Sequence, residues 1–134
     1  MVLPGIQALF GFQLIAVFNR PFFDLDAISR LLHLAALVLV GIAVGLIMAP
    51  AAYHRLVEAS RVSRRWIRMA SRDIAWAMAA LMLTIALDIY LVARMIVADM
   101  GIAAILATGI GAFLSWLWFA QPVFARLHDR SRED

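Results

Sequence analysis

The sequence contains no cysteine. Disulfide bonds, thiolate nucleophiles, iron–sulfur ligation and structural zinc on sulfur are excluded with it. Lysine is also absent, so all 12 cationic residues are arginine, and charged residues make up only 16 % of the chain. Enzyme signatures are missing: there is no glycine-rich phosphate loop, no His-Glu-x-x-His and no Gly-x-Ser-x-Gly. The three histidines, His33, His54 and His128, fall on different expected elements. That scatter leaves a metal site or a catalytic triad nothing to stand on. No enzyme activity, metal or cofactor is expected.

What the chain has in excess is apolar material. Of its 134 residues, 65 % are hydrophobic, and the mean hydropathy is +0.90. Ordinary soluble domains are about 45–50 % apolar. A soluble fold of this size buries about two-thirds of its surface and cannot hide the surplus. Lipid must therefore be the solvent for much of the chain. A membrane-spanning helix takes about 20 apolar residues, and four of them leave no room for another folded domain.

Four such segments are expected, over residues 2–18, 28–49, 74–97 and 101–119. Pro4 suits the first turn of the first span, where a missing N–H is harmless. No arginine precedes that span and no small-x-small cleavage site follows it, so it is expected to be a retained span and not a secretory signal. Asp24 or Asp26 is available as N-cap of the second span, and Pro50 marks its expected end. Trp116, Trp118 and Phe119 form an aromatic belt closing the fourth. The connections over 19–27 and 98–100 are short, which favours antiparallel neighbours. The expected fold is an all-α, four-helix up-down bundle in one transmembrane domain.

Arginine placement sets the orientation. Arg55, Arg61, Arg64, Arg65, Arg68 and Arg72 lie in the connection 51–73, and Arg126, Arg130 and Arg132 in the tail 120–134. Only Arg20, Arg30 and Arg94 fall on the other side. The positive-inside rule puts the arginine-rich side, and with it both termini, in the cytoplasm. Arginines that flank apolar spans point to anionic lipid and topology, not to nucleic acid.

The connection has helical character of its own. Leu56, Trp66, Ile67 and Ala70 are expected to face the bilayer while the arginines face water and lipid phosphates. Tyr53-His54-Arg55, with Arg61, Arg64, Arg65 and Arg68, reads either as a grip on a phosphate headgroup or a partner, or as an interfacial anchor with topogenic charge.

Asp88 is the most informative polar residue, about 21 Å beyond Ile74 along a helix and so inside the hydrocarbon. A carboxylate there costs about 2.5–3.5 kcal/mol unless it faces protein or water. It is either a protonatable site on an ion path or a partner in a structural pair. Arg94 is six residues on, on another face, and is expected to snorkel outward or to meet Asp99, Asp24 or Asp26. His33 and Gln13 lie at comparable depth. A cluster of Gln13, Arg30, His33 and Asp88 is geometrically allowed, with His33 either a neutral hydrogen-bonding group or a titrating one. Gly41, Gly45 and Ala49, and likewise Ala103, Ala107 and Gly111, form small-residue stripes suited to close helix packing, within a chain or between chains.

The run Leu3-Pro4-Gly5-Ile6-Gln7-Ala8-Leu9-Phe10-Gly11-Phe12-Gln13 and the block Ala49-Pro50-Ala51-Ala52-Tyr53-His54-Arg55 resemble a bacterial family of four-helix membrane proteins of unknown function, the domain of unknown function 6328. Some members of that family carry an automatic sodium:proton antiporter label. The resemblance implies a multi-pass protein of the bacterial cytoplasmic (inner) membrane. It also implies a short acidic stretch ahead of the Leu-Pro-Gly motif, where this chain begins almost at the motif. It transfers no catalytic residue.

Two functions from different classes stay open. One is proton or cation transport through a homo-oligomer, with Asp88 as exchanging carboxylate and Gln13, His33 and Arg94 along the route. The other is a non-catalytic scaffold or accessory subunit of a larger membrane complex that binds anionic lipid. Both need the same topology. In intact spheroplasts the arginine-rich connection should resist external protease, and in inverted vesicles it should be cut; cleavage in spheroplasts would reverse the orientation.

Overall fold

The computed structural model describes residues 3–57 and 63–124, and these are all helix and short turns. Five helices run in order: α1 (Leu3–Ala16), α2 (Arg20–Phe23), α3 (Ala27–Val57), α4 (Arg64–Val97) and α5 (Met100–Ser115). A π-helical turn, Trp116–Ala120, continues α5.

Local chemistry explains most boundaries. The Asp26 carboxylate accepts from the Ser29 hydroxyl at 2.6 Å and the Ser29 N–H at 3.4 Å, which caps α3. The Ser63 hydroxyl accepts from the Trp66 N–H at 3.1 Å and opens α4. Between α4 and α5 the chain turns in two residues. Ala98 takes the left-handed conformation (φ 56°) and donates its N–H to the Arg94 carbonyl at 3.0 Å, a helix C-terminus of the αL type. Asp99 then caps α5 by accepting from the Ile102 N–H at 2.8 Å. At the far end of α5 the Gln121 N–H reaches back to the Trp116 carbonyl, a five-residue step ahead of Pro122, which has no N–H to continue the regular ladder.

Two expected boundaries move. Pro50 lies inside α3 and does not end it. Its ring removes one amide donor, and neighbouring groups in a helical membrane protein can make good that loss. The arginine-rich connection is largely helix, because α3 runs on to Val57 and α4 starts at Arg64, ten residues ahead of Ile74.

Three helical stretches, Ala27–Val57, Arg64–Val97 and Met100–Phe124, are long and apolar enough to cross a membrane. The fourth apolar helix, α1, has 14 residues. At about 1.5 Å per residue it covers about 21 Å, less than the hydrocarbon thickness. Large apolar side chains point outward all along the spanning helices, Leu31 65 % and Ile105 72 % exposed among them. A soluble protein does not present its apolar faces in this way; a membrane protein does.

The chain divides into two compact units, Met1–Thr84 and Ile85–Asp134. In the first, α3 buries Ser29, His33, Ala36, Val40 and Ala43 in three- and four-residue steps, and Pro50 one heptad further along the same seam. The facing part of α4 buries Ala70, Ala77, Ala80, Leu81 and Thr84. Contacts advance along α4 as they retreat along α3: Trp66 meets Pro50 and Thr84 meets Ala36. The pair is thus antiparallel. α1 packs on α3 through Ile6 and Gln13, its buried positions one heptad apart. In the second unit, α5 folds back on the end of α4 about the Ala98 turn, with Ala103 and Leu114 buried.

The small-residue stripes divide accordingly. A Cβ on Gly111 would meet the Ala86 methyl at 3.9 Å, Ala103 is fully buried and Ala107 half-buried, so this stripe packs α5 on α4. Gly41, Gly45 and Ala49 are exposed, and nothing lies within 4 Å of a Cβ built on either glycine. The packing seam carries Ala43, about 200° round the helix from Gly41 and Gly45. One helix face alone can meet the neighbour, and the face with polar side chains able to reach a carbonyl takes that place.

The αL turn at Ala98 generates a prediction. A Cβ there costs about 1–2 kcal/mol. The wild-type alanine already carries that cost, so Ala98→Val adds only the strain of a β-branched side chain at positive φ and should lower unfolding stability in detergent further. Ala98→Gly should leave it unchanged or raise it, because glycine removes the clash at some cost in unfolded-state entropy.

Candidate functional site: an arginine-lined cleft at the α3–α4 end

Three polar side chains of the first unit, His33 and Thr84 in its apolar part and Trp66 at its edge, donate to carbonyls of a neighbouring helix. His33, 7 % exposed, holds Nε2 3.0 Å from the Gln13 carbonyl. That oxygen only accepts, so Nε2 carries the proton. The last turn of α1 is where carbonyls run short of amide donors, and an N–H-bearing ring there also suits the helix dipole. Phe22 braces the same imidazole edge-on at 5.2 Å. The Thr84 hydroxyl, fully buried, donates to the Ala36 carbonyl at 3.3 Å. The Trp66 indole N–H donates to the Pro50 carbonyl at 3.1 Å.

Of the intramembrane set, Gln13 and His33 are thus brought together, with Gln13 supplying its backbone. Arg30 is exposed, on the same helix as His33. Asp88 and Arg94 belong to the second unit and are each half-buried. Of the carboxylates expected near Arg94, Asp99 caps α5, Asp26 caps α3 and Asp24 stands at the C-terminus of α2.

The polar end of the first unit is different in kind. Past Pro50 the chain continues as helix through Tyr53, His54 and Arg55, and α4 begins opposite at Arg64. Trp66 ties the two ends together, and the His54 ring packs on its indole at 5.5 Å. Trp66 thus turns towards α3 and Ala70 is buried, whereas Leu56 (85 %) and Ile67 (49 %) are exposed. Beside this tie lies a cleft of about 400 Å³ lined by Tyr53, Arg65, Trp66, Arg68, Met69 and Arg72. Arg65, Arg68 and Arg72 lie three and four residues apart, hence on one face of α4. Arg72 reaches Asp73 at 3.9 Å with 73 % of its own side chain exposed, a pairing too loose and too wet to neutralise it.

Of the residues expected to grip a headgroup, Tyr53, Arg65 and Arg68 line this cleft. His54 supports its wall from behind through Trp66. Arg55 and Arg64 are exposed outside its lining, and Arg61 lies outside the described residues, as does most of the arginine-bearing tail. Met69 was not anticipated, and Arg72 was expected only among the arginines facing water and lipid phosphates, not in the headgroup grip. The signal for them was available in the three- and four-residue steps through Arg65, Arg68, Met69 and Arg72, since the connection already read as helical.

Among comparisons with known proteins, a family model described as "Family of unknown function (DUF6328)" matches residues 1–122. No curated protein matches, and no solved structure does.

The His33 tie can be tested directly. His33→Leu keeps an apolar side chain in place but removes the donor to α1, worth about 0.6–1.5 kcal/mol. Amide exchange in α1 should quicken by about threefold to tenfold relative to α3; unchanged exchange would mean that α1 is held by other contacts.

Proposed function

The chain belongs to the family of unknown function DUF6328, and we propose that it is a non-catalytic accessory protein of the bacterial cytoplasmic membrane that seats anionic lipid headgroups at the α3–α4 end. One observation carries this reading: the cleft lined by Tyr53, Arg65, Arg68 and Arg72 lies beyond the apolar stretch of a helix long enough to span the membrane. Guanidinium groups bind phosphate bidentately. Basic pockets between helices at the cytoplasmic interface are suited to lipid phosphates. In this reading the arginine-rich end faces the cytoplasm, and the outward Gly41–Gly45–Ala49 face is left to lipid or to a helix of a larger complex.

A second reading, cation transport, has one observation in its favour: a half-buried carboxylate, Asp88, within the apolar course of α4. It requires a homo-oligomer, because one chain of 134 residues is too small to enclose an alternating-access path. One set of proteoliposomes separates the two. On the lipid reading, the purified protein retains anionic lipid through detergent exchange, an Arg65→Gln/Arg68→Gln/Arg72→Gln variant loses most of it, and vesicles show no proton or sodium flux above protein-free controls. Flux in the wild type that disappears in Asp88→Asn would overturn the non-catalytic reading in favour of transport.

A further inference from the structure

We propose that the cleft takes a headgroup carrying two phosphates on one molecule, a diphosphatidylglycerol (cardiolipin) type of lipid, in preference to a headgroup with one. This rests on the lipid reading above and deepens it.

The argument starts from charge and spacing. Three guanidiniums line the cleft, and among its described lining residues there is no carboxylate. Along the axis of α4, Arg65 and Arg68 are about 4.5 Å apart and Arg68 and Arg72 about 6 Å, all within about 60° of arc. A single phosphodiester carries one negative charge and satisfies one forked guanidinium, or two at most. It would leave at least one of the three without a phosphate, and the Asp73 carboxylate, 3.9 Å from an Arg72 side chain that is 73 % exposed, is too loosely placed to take that role. Two phosphodiesters joined through one glycerol present two charges on a short, flexible bridge, matched to guanidiniums on successive turns of one helix.

The rest of the lining fits such a bridge. The Trp66 indole nitrogen is already engaged with the Pro50 carbonyl, so the cleft receives its apolar ring. Met69 sits between Arg68 and Arg72 in sequence and lines the cleft with them. These two surfaces suit the carbons of a glycerol bridge and the first acyl groups, and the Tyr53 hydroxyl adds a neutral hydrogen-bonding partner. The position in the helix adds to this. Arg64 and Arg65 stand in the first turn of α4, where the helix dipole disfavours cations by about 0.3–1 kcal/mol each. Anions there relieve both the repulsion among the arginines and the dipole term. A soluble diphosphate would satisfy the same arginines but has no use for the apolar part of the lining, which is why the proposal commits to a lipid.

The test uses the full chain in detergent, titrated by native mass spectrometry with cardiolipin, phosphatidylglycerol or phosphatidylcholine. The expected result is one cardiolipin per chain, bound about 5- to 30-fold tighter than one phosphatidylglycerol, with Arg68→Gln removing most of that difference. The lipid comparison is made on the wild-type chain and does not depend on the variant folding. Equal affinity for the two anionic lipids, both above phosphatidylcholine, would overturn the two-phosphate inference and leave the lipid reading standing. No preference over phosphatidylcholine would overturn both. Displacement of cardiolipin by millimolar pyrophosphate would reassign the cleft to a soluble ligand.

Discussion

A helix in lipid satisfies its own backbone and meets solvent as apolar as its side chains, so burying more apolar surface does little to hold it against a neighbour. The first unit responds to this constraint in one consistent way. His33, Thr84 and Trp66 each reach from one helix to a main-chain carbonyl of another: Gln13, Ala36 and Pro50 respectively. Each such bond contributes about 0.6 kcal/mol in a membrane setting. That is small, but it is directional, and direction is what apolar contact in lipid lacks. The register of α1 on α3, and of α3 on α4, follows from where the three donors sit.

The same constraint decides how small residues are used. Ala36, Val40 and Ala43 are fully buried in the α3 seam and Ala77 in α4, so the backbones come close enough for a threonine hydroxyl to span the gap. In the second unit Ala103, Gly111 and Ala86 do the same for α5 against α4, and the Ala98–Asp99 turn sets their pairing. A backbone that must reverse within two residues while capping both helices accepts a left-handed alanine to do so.

At the α3–α4 end the physics changes. The described arginines there are exposed, and arginine replaces the buried donors as the characteristic residue. Trp66 stands at the transition, its indole bonded to the last buried turn of α3 and its ring exposed to the arginine-lined cleft. The polar residues in the apolar region hold helices together, whereas the described arginines at the α3–α4 end face outward, Arg72 with the Asp73 carboxylate 3.9 Å away.

Composition and arginine bias made the helical membrane class legible, because the solvent a chain requires is a sum over residues and needs no partner to be known. The Asp26 cap, the short α4–α5 turn and the Ala103–Gly111 stripe were legible for the same reason, each being a property of one short segment. The continuation of α3 through Pro50, the outward face of Gly41 and Gly45, and the joining of Tyr53 to Arg65, Arg68 and Arg72 were not. The first depends on neighbouring groups that make good the amide donor lost at Pro50; the other two depend on how a helix is rotated about its own axis, and a nearly uniform apolar helix in lipid has no amphipathic face to fix that rotation. A few side-chain donors and the carbonyls they find fix it instead, and those pairings, 16 to 48 residues apart, exist only once the chain has folded.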